Sequence, residues 1–478
     1  MGRLRLATDS VAMRYISTRG KAAPIDFMDA LFAGLASDGG LYVPETWPTL
    51  THDEIAGFAG RRYAEVAADI LVRFAGDSIP TDTVRRICAE AYATFDHSAV
   101  APLTQVDGTR FLLELFHGPT LAFKDVAMQI LARLYEYGLA SQDRDLTIVC
   151  ATSGDTGGAA VEAFAGREHI SIVALYPEGR ISEVQRRFMT TSTAPNVRAV
   201  AVAGDFDDCQ ALLKGLFQDP DFVDEIGLSL VNSINIARVI AQTVYYFTAA
   251  VALGAPARPV SFSVPTGNFG DAYAGWAAAR MGLPVSRIVV ATNVNDIMAR
   301  AVETGVYKRG VAVPTQSPSM DIQVASNFER LVYDCMGGDA EATDAAFRAF
   351  QASGELVLSL GALARLQTVF VAAAIDEAQT DGAMARAYGS SGMAIDPHTA
   401  VALAGAEVRE TDMTVPTIVL STAHPAKFPD AVRSATGVFP SRPEAVTARA
   451  ELPERIDRLA ANETALKTYL REFAKGAR

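Results

Sequence analysis

The sequence predicts an α/β fold with parallel sheets, preceded by a mainly helical N-terminal region. Three observations carry this expectation. From about residue 111, short β-branched apolar runs alternate with segments of helical period. The runs are almost continuously apolar, as in strands covered by helices on both faces. Before about residue 100 such runs are absent, and apolar residues recur at helical spacing instead. At 478 residues the chain exceeds one ordinary core, so two or three domains are expected.

In the N-terminal region, helices are expected over Phe27–Leu35, Tyr63–Phe74 and Thr83–Phe95, interrupted by the Gly-rich turn Ser37–Pro44. A further helix over Asp125–Tyr137 carries apolar residues at 126, 127, 130, 131 and 134, one helical face. Asp125 is placed to cap it and Gly138 to end it. Buried strands are expected at Leu146–Ala151, Ile170–Leu175, Val197–Ala203, Val260–Val264, Arg287–Thr292 and Thr417–Ser421. Helices are expected at Thr156–Ala165, Phe206–Phe217, Ile236–Leu253, Asp271–Met281 and Ala340–Ala352, and Pro443–Lys475 reads as a polar helical tail. Several strands run into Gly-rich loops that open helices. In open α/β sheets such loops gather at the carboxyl ends of strands, where ligands bind.

Half the residues are hydrophobic and a fifth are charged, a globular composition. The net charge of −13 argues against nucleic acid or an anionic membrane as partner. A small anionic substrate remains compatible, because a local donor cluster overrides the global sign. Cys88, Cys150, Cys209 and Cys335 are far apart and form no CxxC pair, so neither a disulfide framework nor a zinc site is expected, and a reducing compartment fits. The first residues, MGRLRLATDSVA, lack the apolar run of a signal peptide, and no stretch approaches ~18 uninterrupted apolar residues. A cytoplasmic protein with no membrane span is expected.

Four segments carry chemistry. In Glu114–Asp125 a lysine, Lys124, stands in apolar surroundings just before a helix. Burial lowers an ammonium's pKa, and a neutral amine can form an imine and then act as a base. From spacing alone a lone lysine at a helix start is more often a solvated charge, and His117 and Thr120 are more often turn or packing residues. Ala151–Gly158, with Thr152, Ser153, Gly154, Asp155 and Thr156, follows a strand and opens a helix. Its glycines and the helix N-terminus form a nest sized for a carboxylate or phosphate, which could equally serve a nucleotide or a sugar phosphate or be a tight turn with no ligand. Val264–Asp271 repeats that arrangement, without the Lys-Ser/Thr of a P-loop. Leu420–Phe428 offers the Thr422 hydroxyl, the His424 imidazole and an amine at Lys427. No His, Cys or Asp set has metal-ligand spacing, so no metal is expected.

Together these segments resemble the threonine synthases, specifically their longer microbial and fungal branch. FHGPTLAFKD resembles that family's cofactor-lysine segment, ATSGDTG its substrate loop, PTGNFGD its phosphate-cradle loop and STAHPAKFPDAV its C-terminal motif. YISTRG, GLASDGGLYVPE, YPEGRIS, VNSINIAR, SPSMDIQVASNFERL and DPHTAV extend the resemblance, in order, from position 15 to about 434.

The resemblance implies a type II pyridoxal 5'-phosphate (PLP) fold, tryptophan synthase β-like, with the cofactor between two α/β domains. It implies an N-terminal domain over 1–100, a large domain over 101–129 and 256–478, and a small one over 130–255. Lys124 would bind PLP as a Schiff base and move protons. Gly267, Asn268, Phe269, Gly270 and Asp271 would surround the PLP phosphate, and Thr422 would meet the pyridine nitrogen. Thr152, Ser153, Asp155 and Thr156 would line the substrate carboxylate site and the ring edge. Arg180, Ser182, Asn235 and Arg238 are candidates for the substrate phosphate, where arginine's planar fork suits the oxygens. The implied reaction takes O-phospho-L-homoserine and water to L-threonine and phosphate, by γ-elimination and β-hydration, in a monomer or homodimer. The alternative is another type II PLP lyase acting on a phosphorylated amino compound.

Overall fold

The computed structural model describes residues 13–142, 144–152, 154–409 and 412–476. The strands β1 (Tyr15–Ser17) and β2 (Tyr42–Pro44) form a short antiparallel pair near the N-terminus. Then come β3 (Leu103–Gln105), β4 (Arg110–Glu114), β5 (Leu146–Ala151), β6 (Ile170–Pro177), β7 (Val197–Ala203) and β8 (Leu228–Ser229). They are followed by β9 (Val260–Pro265), β10 (Val285–Thr292), β11 (Val306–Lys308), β12 (Glu355–Val357), β13 (Phe370–Ala374), β14 (Thr417–Ser421) and β15 (Ile456–Ala460).

Two sheets organise the molecule. The larger has the order β13-β10-β9-β14-β4-β3, parallel except for the antiparallel edge strand β3. The smaller, β15-β7-β6-β5-β8, is parallel throughout. All the expected strands are present, three of them at the expected bounds. Their continuous apolar runs have the cause assumed for them: Ile148, Val149, Ile172 and Val173 in the small sheet, and Phe262, Val264, Ile418 and Leu420 in the large one, are fully buried. In the N-terminal region, Tyr63–Ala75 buries Val66, Ile70, Leu71 and Phe74 along one face.

Three expectations need correction. The C-terminal segment is not a helical tail. It forms a helix (Glu444–Ala450), the edge strand β15 and a second helix (Glu463–Gly476). Asp457 and Arg458 make β15 look polar, as suits an edge. The final helix buries Leu466 and Leu470 against Leu212, Leu216 and Phe222. β15 pairs in parallel with β7 and so joins the small sheet.

Gly138 does not end its helix, which runs from Lys124 to Gln142. A Cβ there would come 2.3 Å from Met28 Cε and 2.6 Å from Phe32 Cζ, so this glycine serves a close helix–helix approach. Asp125 lies inside the first turn and does not cap it. Its carboxylate instead accepts from the Thr120 amide at 2.8 Å and hydroxyl at 2.7 Å, which ties the preceding loop to the helix. Burial pushes the Asp125 carboxyl up to about 6 against those hydrogen bonds.

Candidate active site

The carboxyl ends of β5, β9 and β14 open into one cavity of about 890 Å³, within the size range of small-molecule sites. Lys124, Thr152, Asp155, Thr156, Arg238, Gly267–Asp271 and Thr422 all line it. Residues from both sheets and all four chemistry-bearing segments therefore meet at one place.

Backbone pairing with the end of β14 positions Lys124. The Leu115 amide donates to the Ser421 carbonyl at 2.9 Å, Phe123 to the Thr422 carbonyl at 2.8 Å, and His424 to the Leu121 carbonyl at 3.0 Å. Ala122 and Ala423 form an isolated antiparallel bridge. The loop before Lys124 is thus tied by backbone hydrogen bonds to the chain that presents Thr422. The lysine side chain is nearly buried, with Nζ 3.7 Å from Asp155 Oδ2 and 4.7 Å from the centroid of the Phe123 ring. Burial drives its pKa down. Asp155 opposes this, while Lys427 and Arg238 reinforce it. A larger fraction of free amine is available here than on a solvated lysine.

The cradle loop sits where the helix Gly270–Arg280 begins. Phe269 adopts φ 63°, a left-handed conformation that turns the chain abruptly into the helix. The amides of the first helical turn have no partner within the helix and so remain available to an anion. Gly267 packs so closely on the 319 carbonyl that an added Cβ would lie 2.5 Å from that oxygen. The Asn268 carbonyl accepts from the Asn327 amide at 3.0 Å and from Asn327 Nδ2 at 3.1 Å. The Asp271 side chain faces back into the protein and accepts from Tyr245 at 2.5 Å and Tyr246 at 3.0 Å. Burial raises its carboxyl to about 6 despite these bonds, and Oδ2 has no hydrogen-bond partner among the described residues.

In the other Gly-rich loop, the Thr152 hydroxyl accepts from the Gly154 amide at 3.0 Å and the Gly157 amide at 2.8 Å, so it shapes the turn. Ser153 lies outside the described residues. Burial alone would raise the Asp155 carboxyl. Lys427 and Lys124, with hydrogen bonds from Lys427 and Gln185, outweigh burial and hold it well below the usual carboxylate range.

The candidates for a substrate phosphate separate. Arg238 is buried beside the cavity, and its Nε has no hydrogen-bond partner among the described residues. Burial lowers its guanidinium to about 10. Asn235 caps its helix, accepting from the Ala237 amide at 3.0 Å and donating to the Leu31 carbonyl at 2.8 Å. Ser182 forms a capping box with Gln185. Arg180 is exposed, and neither it nor Ser182 borders the cavity. His424 caps the short turn after it through the Ala426 amide, and burial lowers its imidazole to about 4.

Several residues at the site were not singled out as site residues from sequence. His398 lines the cavity, accepts from the Ser319 amide at 3.3 Å, and is held by Asp396 at 2.7 Å. Its signal lay in the DPHTAV segment. Gln185 reaches Asp155 only through tertiary structure. Among the described residues no group of three or more His, Cys, Asp or Glu side chains could hold a metal, and no helix is long and apolar enough to cross a membrane.

These features fit PLP. A helix N-terminus lies open to a phosphate, a buried amine stands ready for an aldehyde, and a hydroxyl at Thr422 shares the cavity with both. The fold and the site define a PLP-dependent enzyme of fold type II, and a family model described as pyridoxal-phosphate dependent enzyme matches residues 98–421. Models described as threonine synthase N terminus and threonine synthase, C-terminal match residues 14–92 and 399–470. Threonine synthase from Pseudomonas aeruginosa is 48% identical, over 93% of this chain and 95% of that protein. The crystal structure of PLP-bound threonine synthase from Brucella melitensis superposes with a TM-score of 0.95 at 48% identity, covering 97% of this chain and all of that one. The yeast threonine synthase structure gives 0.91 at 34% identity, covering 97% of this chain and 99% of that one. The chain belongs to the threonine synthase family.

Proposed function

We propose that this enzyme converts O-phospho-L-homoserine and water to L-threonine and phosphate, with Lys124 as both the cofactor-bonding amine and the proton carrier. The observation that carries this reading is the buried Lys124 amine, 3.7 Å from an ionised Asp155 at the mouth of two anion-binding loops. When bound, PLP supplies an electron sink for the carbon chemistry. The first-turn amides of Gly270–Arg280 and the Gly267–Asp271 backbone would hold its phosphate, and the Thr422 hydroxyl would meet its ring nitrogen. The Thr152–Thr156 loop takes the substrate carboxylate.

Lys124, once released, is a local base whose proton Asp155 can stabilise. Such a positioned base contributes about 10²–10⁴-fold in rate. Arg238 is the cation best placed for the substrate phosphate, since it borders the cavity and its buried Nε has no hydrogen-bond partner among the described residues. The four cysteines are free and buried, which suits work in the cytoplasm.

The test is to measure phosphate, threonine and ammonia released from O-phospho-L-homoserine by the PLP-loaded enzyme. Phosphate and threonine should appear in equal amounts. Ammonia with a keto acid as the main product would replace this reading with that of a different type II lyase.

A further inference from the structure

Lys427 comes from the C-terminal motif, and the functional reading above gives it no part. It is 1% exposed and is not among the residues lining the cavity. Its Nζ donates to the Thr120 carbonyl at 2.8 Å and lies 2.7 Å from Asp155 Oδ1. Phe188 covers the ammonium, with its centroid 5.4 Å away. Gln185 Nε2 donates to the same Asp155 oxygen at 3.0 Å. Both grips fall on Oδ1, leaving Oδ2 to face Lys124.

We propose that Lys427 is a positioning residue for the reaction: it clamps Asp155 so that Oδ2 is aimed at the Lys124 amine, and its charge opposes a second positive charge there. This rests on Lys124 being the cofactor lysine. A buried carboxylate shared by two amines cannot fully neutralise both, so the amine with the looser contact gives up its proton more readily. Lys427 holds Asp155 at 2.7 Å and Lys124 holds it at 3.7 Å, which makes Lys124 the labile member. The other charged groups acting on Lys124 are Arg238, Asp125 and Asp271. Asp271 is already bonded to two tyrosines and Asp125 to Thr120, so Asp155 is the anion left to respond.

The experiment follows the visible absorbance of the holoenzyme across pH, together with the pH profile of kcat, in wild type, Lys427→Met, Lys427→Arg and Asp155→Asn. Removing the Lys427 cation makes a positive charge at Lys124 easier to hold. The spectral midpoint should therefore rise by about one unit or more, and the ascending limb of kcat should move up with it. Lys427→Arg keeps the charge and should stay near wild type. Asp155→Asn removes the anion and should shift the midpoint the opposite way, to lower pH. A Lys427 with only a structural role would change the yield of folded enzyme and leave the midpoint in place.

An unmoved midpoint in folded Lys427→Met, or shifts of the same sign in Lys427→Met and Asp155→Asn, would overturn the proposal. If Lys427→Met does not fold, an unmoved midpoint in Asp155→Asn overturns it equally. Absence of any pyridoxyl linkage at Lys124 in the wild type defeats the underlying reading instead, which is a separate result.

Discussion

Two buried lysines stand on either side of Asp155, and the contrast between them explains the site. Lys427 is fully enclosed, with a carbonyl, a carboxylate oxygen and an aromatic face around its ammonium. Lys124 has one looser anionic contact and a face on the cavity. Identical side chains thus become a structural clamp in one place and a reactive amine in the other. Both are buried, and what separates them is how closely each ammonium is held by its hydrogen-bond partners. Lys124 opens a helix whose preceding loop pairs with the chain leaving β14, and Lys427 follows β14 through a short turn, so the two amines are delivered from adjacent backbones.

The largest expected effect comes from exchanging the two roles. Lys124→Ala should cut threonine formation by more than about 100-fold, the lower bound for loss of a positioned base, whereas Lys427→Arg should retain cofactor attachment. Steady-state kinetics and absorbance spectra of both variants check this, and near-normal turnover without Lys124 would erase the distinction.

Asp155→Leu removes the shared anion and leaves a buried ammonium at Lys427 uncompensated. Breaking a buried pair in this way costs about 3–5 kcal/mol. Urea unfolding should show the loss, and an unchanged midpoint would mean that Lys427 finds another anion.

Gln185→Leu removes one neutral donor from Asp155 and should cost less, about 1–3 kcal/mol, with little change in the pH dependence of kcat. The smallest effect concerns His424. Its imidazole, lowered to about 4 by burial, has a depressed folded-state value, so the neutral form prevails in the folded protein from about pH 5 upward. His424→Asn should therefore leave the limbs of the kcat profile between pH 6 and pH 9 unshifted. A limb that vanishes with this histidine would assign it a proton-transfer role.

Much of this was legible in the sequence, for physical reasons. Strands covered on both faces write continuous apolar runs, so β5, β7 and β14 could be bounded to the residue. The strand Phe370–Ala374 could not, because its alanines suit a helix equally. The edge strand β15 hid behind charges that an edge requires. Gly138 looked like a helix end because close approach to Met28 and Phe32 is invisible without tertiary structure.

At the site, the Gly-rich loops and Lys124 announced themselves through local chemistry. Arg238 stood out from Asn235, Arg180 and Ser182 only once burial and partners were known. The Gln185–Asp155–Lys427 set joins three distant segments, and no local pattern encodes that meeting.

The measurement that bears most directly on the site is borohydride reduction of the PLP-loaded protein followed by peptide mass mapping. The expected result is one pyridoxyl group, on the peptide carrying Lys124, with Lys427 unmodified. A pyridoxyl group on Lys427, or none on either lysine, would contradict the assignment of Lys124 as the cofactor lysine.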